Sequence, residues 1–266
     1  MKKLFMVLAA TVVCGASLFT SCKKDEDNNL KLEEKIIGKW IVADMNGQSV
    51  MTNEKDVLTF VSTTKAYVSA SLNANPEAGS HWNDQKEVNV AINGNKMTLT
   101  SHDDEHTTAV EEYTVTAING SEFTANRNGT LIVDGSVVSS ADGVFRYTKQ
   151  TADYRTAILG LWECQELTGI ETYNDANARL EFFDDGTYNY WHKNDAGQWE
   201  AVTDREFQNY FVDGTLLATR WKNQGEEELR EWWEIVSIAG NEMQWTALRA
   251  AEGGTVVQTT KWVKVN

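Results

Sequence analysis

The chain has 266 residues, in which 24 lysines and arginines face 39 aspartates and glutamates, giving a formal net charge of −15. A surface this acidic repels phosphate backbones and anionic headgroups, so we exclude nucleic-acid partners and membrane binding through a basic patch. The length is sufficient for two ordinary domains. Proline occurs once and tryptophan ten times, a composition that favours long, continuous β-strands over loop-rich structure.

The N-terminal segment has the layout of a secretory signal that ends at a cysteine. Two lysines precede a mostly apolar stretch, residues 4–19, which is short for a membrane-spanning helix. Small residues followed by Cys22 resemble a bacterial lipoprotein signal. This resemblance implies that residues 1–21 are removed and that Cys22 carries palmitate-type acyl chains. Residues 22–29 form an acidic tether, similar to the surface-export signal of Bacteroidetes lipoproteins, which predicts a lipid-anchored protein of the outer membrane, at the cell surface.

The remaining sequence contains one unit twice. The motif Ile-x-Gly-x-Trp occurs at residues 36–40 and again at 158–162, and further segments match at nearly the same offset. Such an internal repeat indicates duplicated structural units. We therefore predict two homologous domains, residues 30–149 and 150–266.

Within each copy the apolar residues alternate with a period of two. Tyr113 and Val115 share one face of a segment, and Trp233 and Ile235 occupy the matching positions of the second copy. Asn-Gly and Asp-Gly pairs between such segments are typical of hairpin turns. A short helical pattern precedes each Gly-x-Trp. The predicted fold class is all-β: two tandem eight-stranded antiparallel barrels, each preceded by a short helix that plugs one end.

A short helix, a Gly-x-Trp on the first strand and a meander of strands resemble the lipocalin and calycin families. Each copy is most similar to the lipocalin-like domain of Bacteroidetes lipoproteins, through Gly38 and Trp40 in the first copy and Gly160 and Trp162 in the second. The resemblance implies that these four residues close the barrel floor. It implies no particular activity, and each copy is shorter than a full lipocalin, which argues against a roomy cavity.

Two tryptophans of the second copy are candidate ligand-binding residues. Trp232 is out of phase with the core face that contains Trp233, and Trp191 is out of phase with Tyr188 and Tyr190. A tryptophan on a solvent face can stack on a sugar or anchor a partner. The alternative is packing between the two domains, because domain interfaces also recruit tryptophan.

The sequence gives little support for metal binding or catalysis. Residues 102–106, His-Asp-Asp-Glu-His, form the one cluster with metal-ligand chemistry, but they lie where a polar hairpin loop is expected. Cys164 lies in an alternating strand pattern and is interpreted as a small buried residue. No nucleophile, phosphate-loop or zinc-peptidase motif occurs. We predict no enzyme activity, no metal and no cofactor.

Two functional hypotheses follow from these patterns. In the first, the chain is a non-catalytic cell-surface binding module for a small apolar molecule or a glycan, held at a barrel mouth or on exposed aromatic residues. In the second, side chains fill the barrels, and the chain is a structural or interaction subunit of an envelope protein assembly. An eight-stranded barrel allows either outcome, so the volume left inside the barrels distinguishes the two.

Overall fold

The computed structural model describes residues 31–70, 85–102, 104–169 and 177–265. The predicted signal, the tether and Cys22 lie outside the described residues. Strands dominate what is described, which confirms the all-β class. No helix within these ranges is long and apolar enough to cross a membrane.

The first sheet follows a four-residue helix, α1, and includes a 3₁₀ turn at Thr52–Glu54. Its elements are α1 Leu32–Lys35, β1 Gly38–Met45, β2 Gln48–Ser49, β3 Asp56–Phe60, β4 Lys65–Ala70, β5 Lys86–Asn93, β6 Lys96–His102, β7 Thr107–Ile118, β8 Glu122–Val133 and β9 Ser136–Gln150. Each strand is antiparallel to the next, and β9 returns to pair with β1. Eight strands, β1 and β3 to β9, therefore close a barrel as predicted, and β2 pairs only with the last two residues of β1.

The second sheet also has nine strands. They are β10 Gly160–Thr168, β11 Ala178–Phe182, β12 Tyr188–Lys193, β13 Trp199–Ala201, β14 Arg205–Asp213, β15 Leu216–Asn223, β16 Glu228–Ala239, β17 Glu242–Ala251 and β18 Gly254–Lys264. Their order starts at β13, runs through β10 and β18, and ends at β14.

The second sheet does not close, so the prediction of two closed eight-stranded barrels is wrong for this copy. The short strand β13 pairs with the edge of β12, at Trp191 to Lys193. One edge of a strand can pair with only one neighbouring strand at a given position, so β14 does not pair along β12. It meets this hairpin at a single bridge, between Thr187 and Asn209. In the first sheet β4 pairs directly with β5. The inserted strand thus turns the second copy into a curled half-barrel.

The predicted short helices differ between the copies. In the first copy α1 is present, with Leu32 and Ile36 buried against the end of the barrel. In the second copy the matching segment is only a hydrogen-bonded turn, in which the amide of Ile158 donates to the carbonyl of Tyr154 at 3.0 Å. A segment this short forms at most one turn, because helix nucleation is unfavourable. The second predicted helix is therefore absent.

Each sheet encloses its own core on its inner face. Tyr113 and Val115 are buried in the first core, and Trp233 and Ile235 in the second, as the alternation predicts. Aromatic rings dominate both cores, and such rings bury large apolar areas.

A third buried cluster lies between the two sheets. It contains Ile41 and Val57 from β1 and β3, and Leu216, Ala218 and Trp232 from β15 and β16. These residues are out of phase with the inner faces, so the outer faces of the two sheets pack directly against each other. The two copies therefore share an apolar interface.

Candidate functional site

The closed end of each core is built on the Gly-x-Trp tryptophan. The indole Nε1 of Trp40 donates a 2.6 Å hydrogen bond to the carbonyl oxygen of Ile36, and Trp162 makes the same 2.6 Å bond to Ile158. Both rings are fully buried. The contact joins the first strand to the turn that precedes it, so each tryptophan holds that turn over the end of its sheet.

The glycine of each motif is required by its backbone conformation, and a lysine that covers the tryptophan also approaches it closely. Gly38 has φ of +125° and Gly160 of +108°, a region that side chains with a Cβ rarely adopt. A Cβ on Gly38 would lie 2.8 Å from Cε of Lys149. The ammonium of Lys149 lies 5.0 Å from the centroid of the Trp40 ring, within cation–π range. The second copy repeats this arrangement with Lys264, 5.1 Å from the Trp162 centroid.

A layer of charged side chains occupies the inner face of the first barrel beyond its apolar core. Arg127 on β8 pairs with Glu111 on β7, and its Nη1 lies 3.3 Å from Oδ2 of Asp56 on β3. The hydroxyl of Tyr113 donates to Oε2 of Glu111 at 2.6 Å. The guanidinium of Arg127 also lies 5.0 Å from the ring centroid of Phe145. The layer therefore ties three strands together across the barrel interior.

Burial controls the protonation of this layer. Asp56 is only 9% exposed, and desolvation raises its pKa to about 6, although the charge of Arg127 opposes the shift. Its Oδ1 has no hydrogen-bond partner among the described residues. Burial likewise raises the pKa of Tyr113 well above its usual range. Asp56 therefore changes its proton occupancy in a mildly acidic range that an exposed aspartate would not sense.

The second sheet has a comparable inner layer. Arg249 on β17 lies 4.9 Å from the ring centroid of Trp233, donates from Nε to Gln258 at 3.2 Å and reaches Glu231 at 3.4 Å. Nearer the gap between β13 and β14, the guanidinium of a second arginine lies over two further rings. This guanidinium, of Arg205, lies 5.2 Å from the ring centroid of Tyr190 and 5.3 Å from the ring centroid of Trp221. Cations thus cover several aromatic faces that a ligand would otherwise use.

Two concavities border described residues on the outer surface. One concavity of about 540 Å³ lies on the outer face of β7, β8 and β9, and another of about 300 Å³ lies beside α1. The inner faces instead contain the two aromatic cores and the charged layers. Within the described ranges, packed side chains therefore occupy the interior of the first barrel and the inner face of the open second sheet.

Trp232 is not on a solvent face, so the expectation that this side chain is exposed is wrong. The side chain points away from the second core, as the alternation indicates, but it is 3% exposed because Ile41 and Val57 of the first sheet cover it. A single sequence shows the direction of a strand side chain but not what packs on that face. Trp232 instead packs between the two sheets, which is the alternative considered from the sequence.

Trp191 is half-buried on β12, where it lies between Arg179 of β11 and Ala201 of β13. Its indole Nε1 is buried without a hydrogen-bond partner in the part of the chain that the structure describes. The two predicted ligand-binding tryptophans are not brought together, because Trp232 lies in the shared interface. A role for Trp191 in binding remains a prediction.

The histidine-containing loop forms local contacts. His106 pairs with Asp134 at 2.7 Å, and His102 contacts the hydroxyl of Thr108 at 3.1 Å. Asp103 lies outside the described residues. Among the described residues, no three histidine, cysteine, aspartate or glutamate side chains are placed together as metal ligands. Cys164 is buried, and desolvation raises its pKa to about 11, which makes it a poor nucleophile.

The charged inner layers were not predicted from the sequence, although the spacing of their charged residues contains a signal. Glu111 is in phase with Tyr113 and Val115, and Arg127 is in phase with Phe123 and Ala125. Opposite charges that fall on the apolar phase of neighbouring strands indicate a buried ion pair, since isolated buried charge is costly.

Comparisons with known proteins do not assign a function to this chain. No family model and no curated protein matches the sequence. One solved structure that matches is a protein of Bacteroides fragilis provisionally assigned as an outer membrane protein. It is 10% identical, the match covers 88% of this chain and 99% of that chain, and the TM-score is 0.22. A likeness this low carries no argument about function. The structure confirms that a barrel is present, and the resemblance to lipocalin-like domains stays a prediction.

Proposed function

We infer that this chain is a non-catalytic interaction module of the cell envelope, anchored through Cys22, which binds protein partners on its outer surfaces. The single observation that carries this proposal is that side chains fill the inner faces of both sheets. It favours the interaction-subunit hypothesis over a carrier of small apolar molecules.

The energetic argument concerns what a ligand would have to displace. A molecule entering the first barrel would separate Arg127 from Glu111 and leave charges buried without partners, which is strongly unfavourable. Entering further would require moving close-packed rings such as Phe123 and Tyr147, which stack at 4.5 Å between centroids. Binding at outer faces has neither cost.

The membrane anchor is supported by the signal-like segment and by the acidic charge, which leaves acyl chains as the means of attachment. The variant Cys22→Ala should release the protein from the membrane fraction of cells. Cys164→Ala is the matched control and should leave the protein membrane-bound, because Cys164 is buried in the second core. Membrane retention of the Cys22→Ala protein would contradict the anchor.

The interaction role is tested by the state of the protein extracted from membranes in mild detergent. Native mass spectrometry should find the chain in an assembly with other proteins and without a bound small molecule. A monomer that retains a small apolar ligand would overturn the proposal in favour of a carrier. Glycan-array binding that is lost in Trp191→Ala would favour the glycan hypothesis instead.

A further inference from the structure

The strand β9 has a free edge in its first half. Residues 145–150 of β9 pair with β1, and Val144 still exchanges hydrogen bonds with Asn46, but residues 136–143 pair only with β8 among the described residues. A β-bulge at Val138 interrupts the pairing with β8 near the hairpin tip. In the part of the chain that the structure describes, residues 139–143 are left as a regular strand segment whose second edge is unpaired.

Between the bulge at Val138 and the residues that pair with β1, this edge lacks the features that usually protect sheet edges. Natural edges are blocked by lysine, proline, inward charge or strong bulges. The edge of β14 fits that description, because it contains Arg205 and Glu206 and is bent by a bulge next to them. Residues 139–143 contain no proline, lysine or arginine, and the adjoining Val137 and Val138 are 65% and 55% exposed. The edge is therefore open to pairing with another strand.

The outer face beside this edge is concave and acidic. Glu112, Asn128 and Asp142 form one row across β7, β8 and β9, in direct cross-strand register. All three line the concavity of about 540 Å³, which Asn126 and Val144 also border. Neither Glu112 nor Asp142 forms an ion pair or side-chain hydrogen bond with a described residue, and both are exposed. The next position in this row, beyond Asp142, is where an added strand would place a side chain.

We propose that residues 139–143 of β9 bind an extended segment of a partner protein as an added strand, with a lysine or arginine of that segment beside Asp142. Main-chain hydrogen bonds to the free edge supply affinity in such strand addition, and side-chain contacts supply specificity. An opposite charge directly across from Asp142 is a favourable cross-strand pair. A second copy of this chain would place acidic chains of net charge −15 against each other, so a basic partner segment is the better occupant. This inference rests on the proposed interaction function and names its site.

The test uses the full chain in mild detergent and a phage-displayed library of random peptides of about ten residues, long enough to span the edge. The unmodified chain should enrich peptides rich in lysine and arginine. The charge-reversed variant Glu112→Lys/Asp142→Lys should enrich acidic peptides instead and bind the first set at least about tenfold more weakly. The matched control is Glu226→Lys/Glu227→Lys, which makes the same change in net charge at exposed positions of the turn between β15 and β16. It should behave as the unmodified chain.

Hydrogen exchange on the unmodified chain locates the site without relying on a variant. A selected basic peptide should slow exchange of those backbone amides of residues 139–143 that point away from β8 by about tenfold or more, because only these amides gain a new hydrogen-bond partner. Protection elsewhere, no preference for basic peptides, or a dimer that protects this edge without peptide would each overturn the proposal. An assembly in membrane extracts that persists in the charge-reversed variant would overturn this site and leave the interaction function standing. Peptide binding at the edge without any assembly would overturn the interaction function instead.

Discussion

The ammonium of Lys39 on β1 donates a hydrogen bond to the carboxylate of Asp213 on β14, and this pair crosses from the first sheet to the second. The hydroxyl of Ser69 donates to the other oxygen of Asp213 at 2.6 Å. A second pair joins Lys55 to Glu234 at 2.8 Å, and Asp213 and Glu234 lie on either side of Leu216 of the shared apolar cluster in cross-strand register. Because both pairs flank the packed outer faces, the two sheets are fixed to one another by polar and apolar contacts together.

Asp213→Ala should therefore destabilise the protein by about 2–3 kcal/mol, because Lys39 and Ser69 lose their shared acceptor in a partly buried place. The double variant Lys39→Met/Asp213→Leu should lose less stability than Asp213→Ala, because it leaves no charge of this pair without its partner. Urea unfolding measures both. Asp153→Ala is the control: its pair with Arg155 is exposed and should contribute no more than about 0.5 kcal/mol. Equal losses of stability in Asp153→Ala and Asp213→Ala would contradict the role of the Lys39–Asp213 pair in fixing the two sheets to one another.

Trp232→Ala should cost about 3–5 kcal/mol of stability, because it leaves a cavity between the two sheets. Leu229→Ala lies on the same strand at an exposed position and should change stability by less than about 0.5 kcal/mol. Thermal and urea unfolding of the two variants give the comparison. An unchanged melting temperature for Trp232→Ala would show that the residue is not part of a shared core.

Acidification should stabilise the protein through Asp56. Its folded-state pKa of about 6 lies above the ordinary value of 3.8, so the folded state binds more protons than the unfolded chain between these values. Stability therefore falls as the pH rises from about 4 to 6, by on the order of 3 kcal/mol for this group.

Urea unfolding at both ends of this pH range should show a smaller change for Asp56→Asn than for the unmodified chain. Asp142→Asn is the control, because Asp142 is exposed, and it should keep the full pH dependence. An identical pH dependence in Asp56→Asn would show that another group carries the effect.

Gly38→Ala and Gly160→Ala should each cost about 1–3 kcal/mol, because alanine is strained at a positive φ. Replacing Lys149 by alanine together with Gly38→Ala should recover only the part due to the close approach of the lysine. Gly120→Ala serves as the control, since nothing lies within 4 Å of an added Cβ there. Unfolding free energies that are the same for all three alanine variants would refute the need for glycine in the Gly-x-Trp motif.

The amino-acid sequence by itself determined the strand content, the duplication and the inner faces of the strands. These follow from local physics: a period of two assigns Tyr113 and Trp233 to the core side of their strands, and Asn-Gly and Asp-Gly pairs mark the turns between strands. The same alternation also indicates which way Trp232 points. None of these inferences requires knowing what lies on the other side of a strand.

Only the tertiary structure decided what covers each face and which edges are paired. Trp232 is buried because the outer face of the first sheet packs on it, and the second sheet stays open because β13 occupies the edge that β14 would need. The charged layer around Arg127 and the free edge of β9 are likewise products of long-range strand pairing. Burial and edge exposure depend on partners distant in sequence, whereas periodicity reports only on neighbours along the chain.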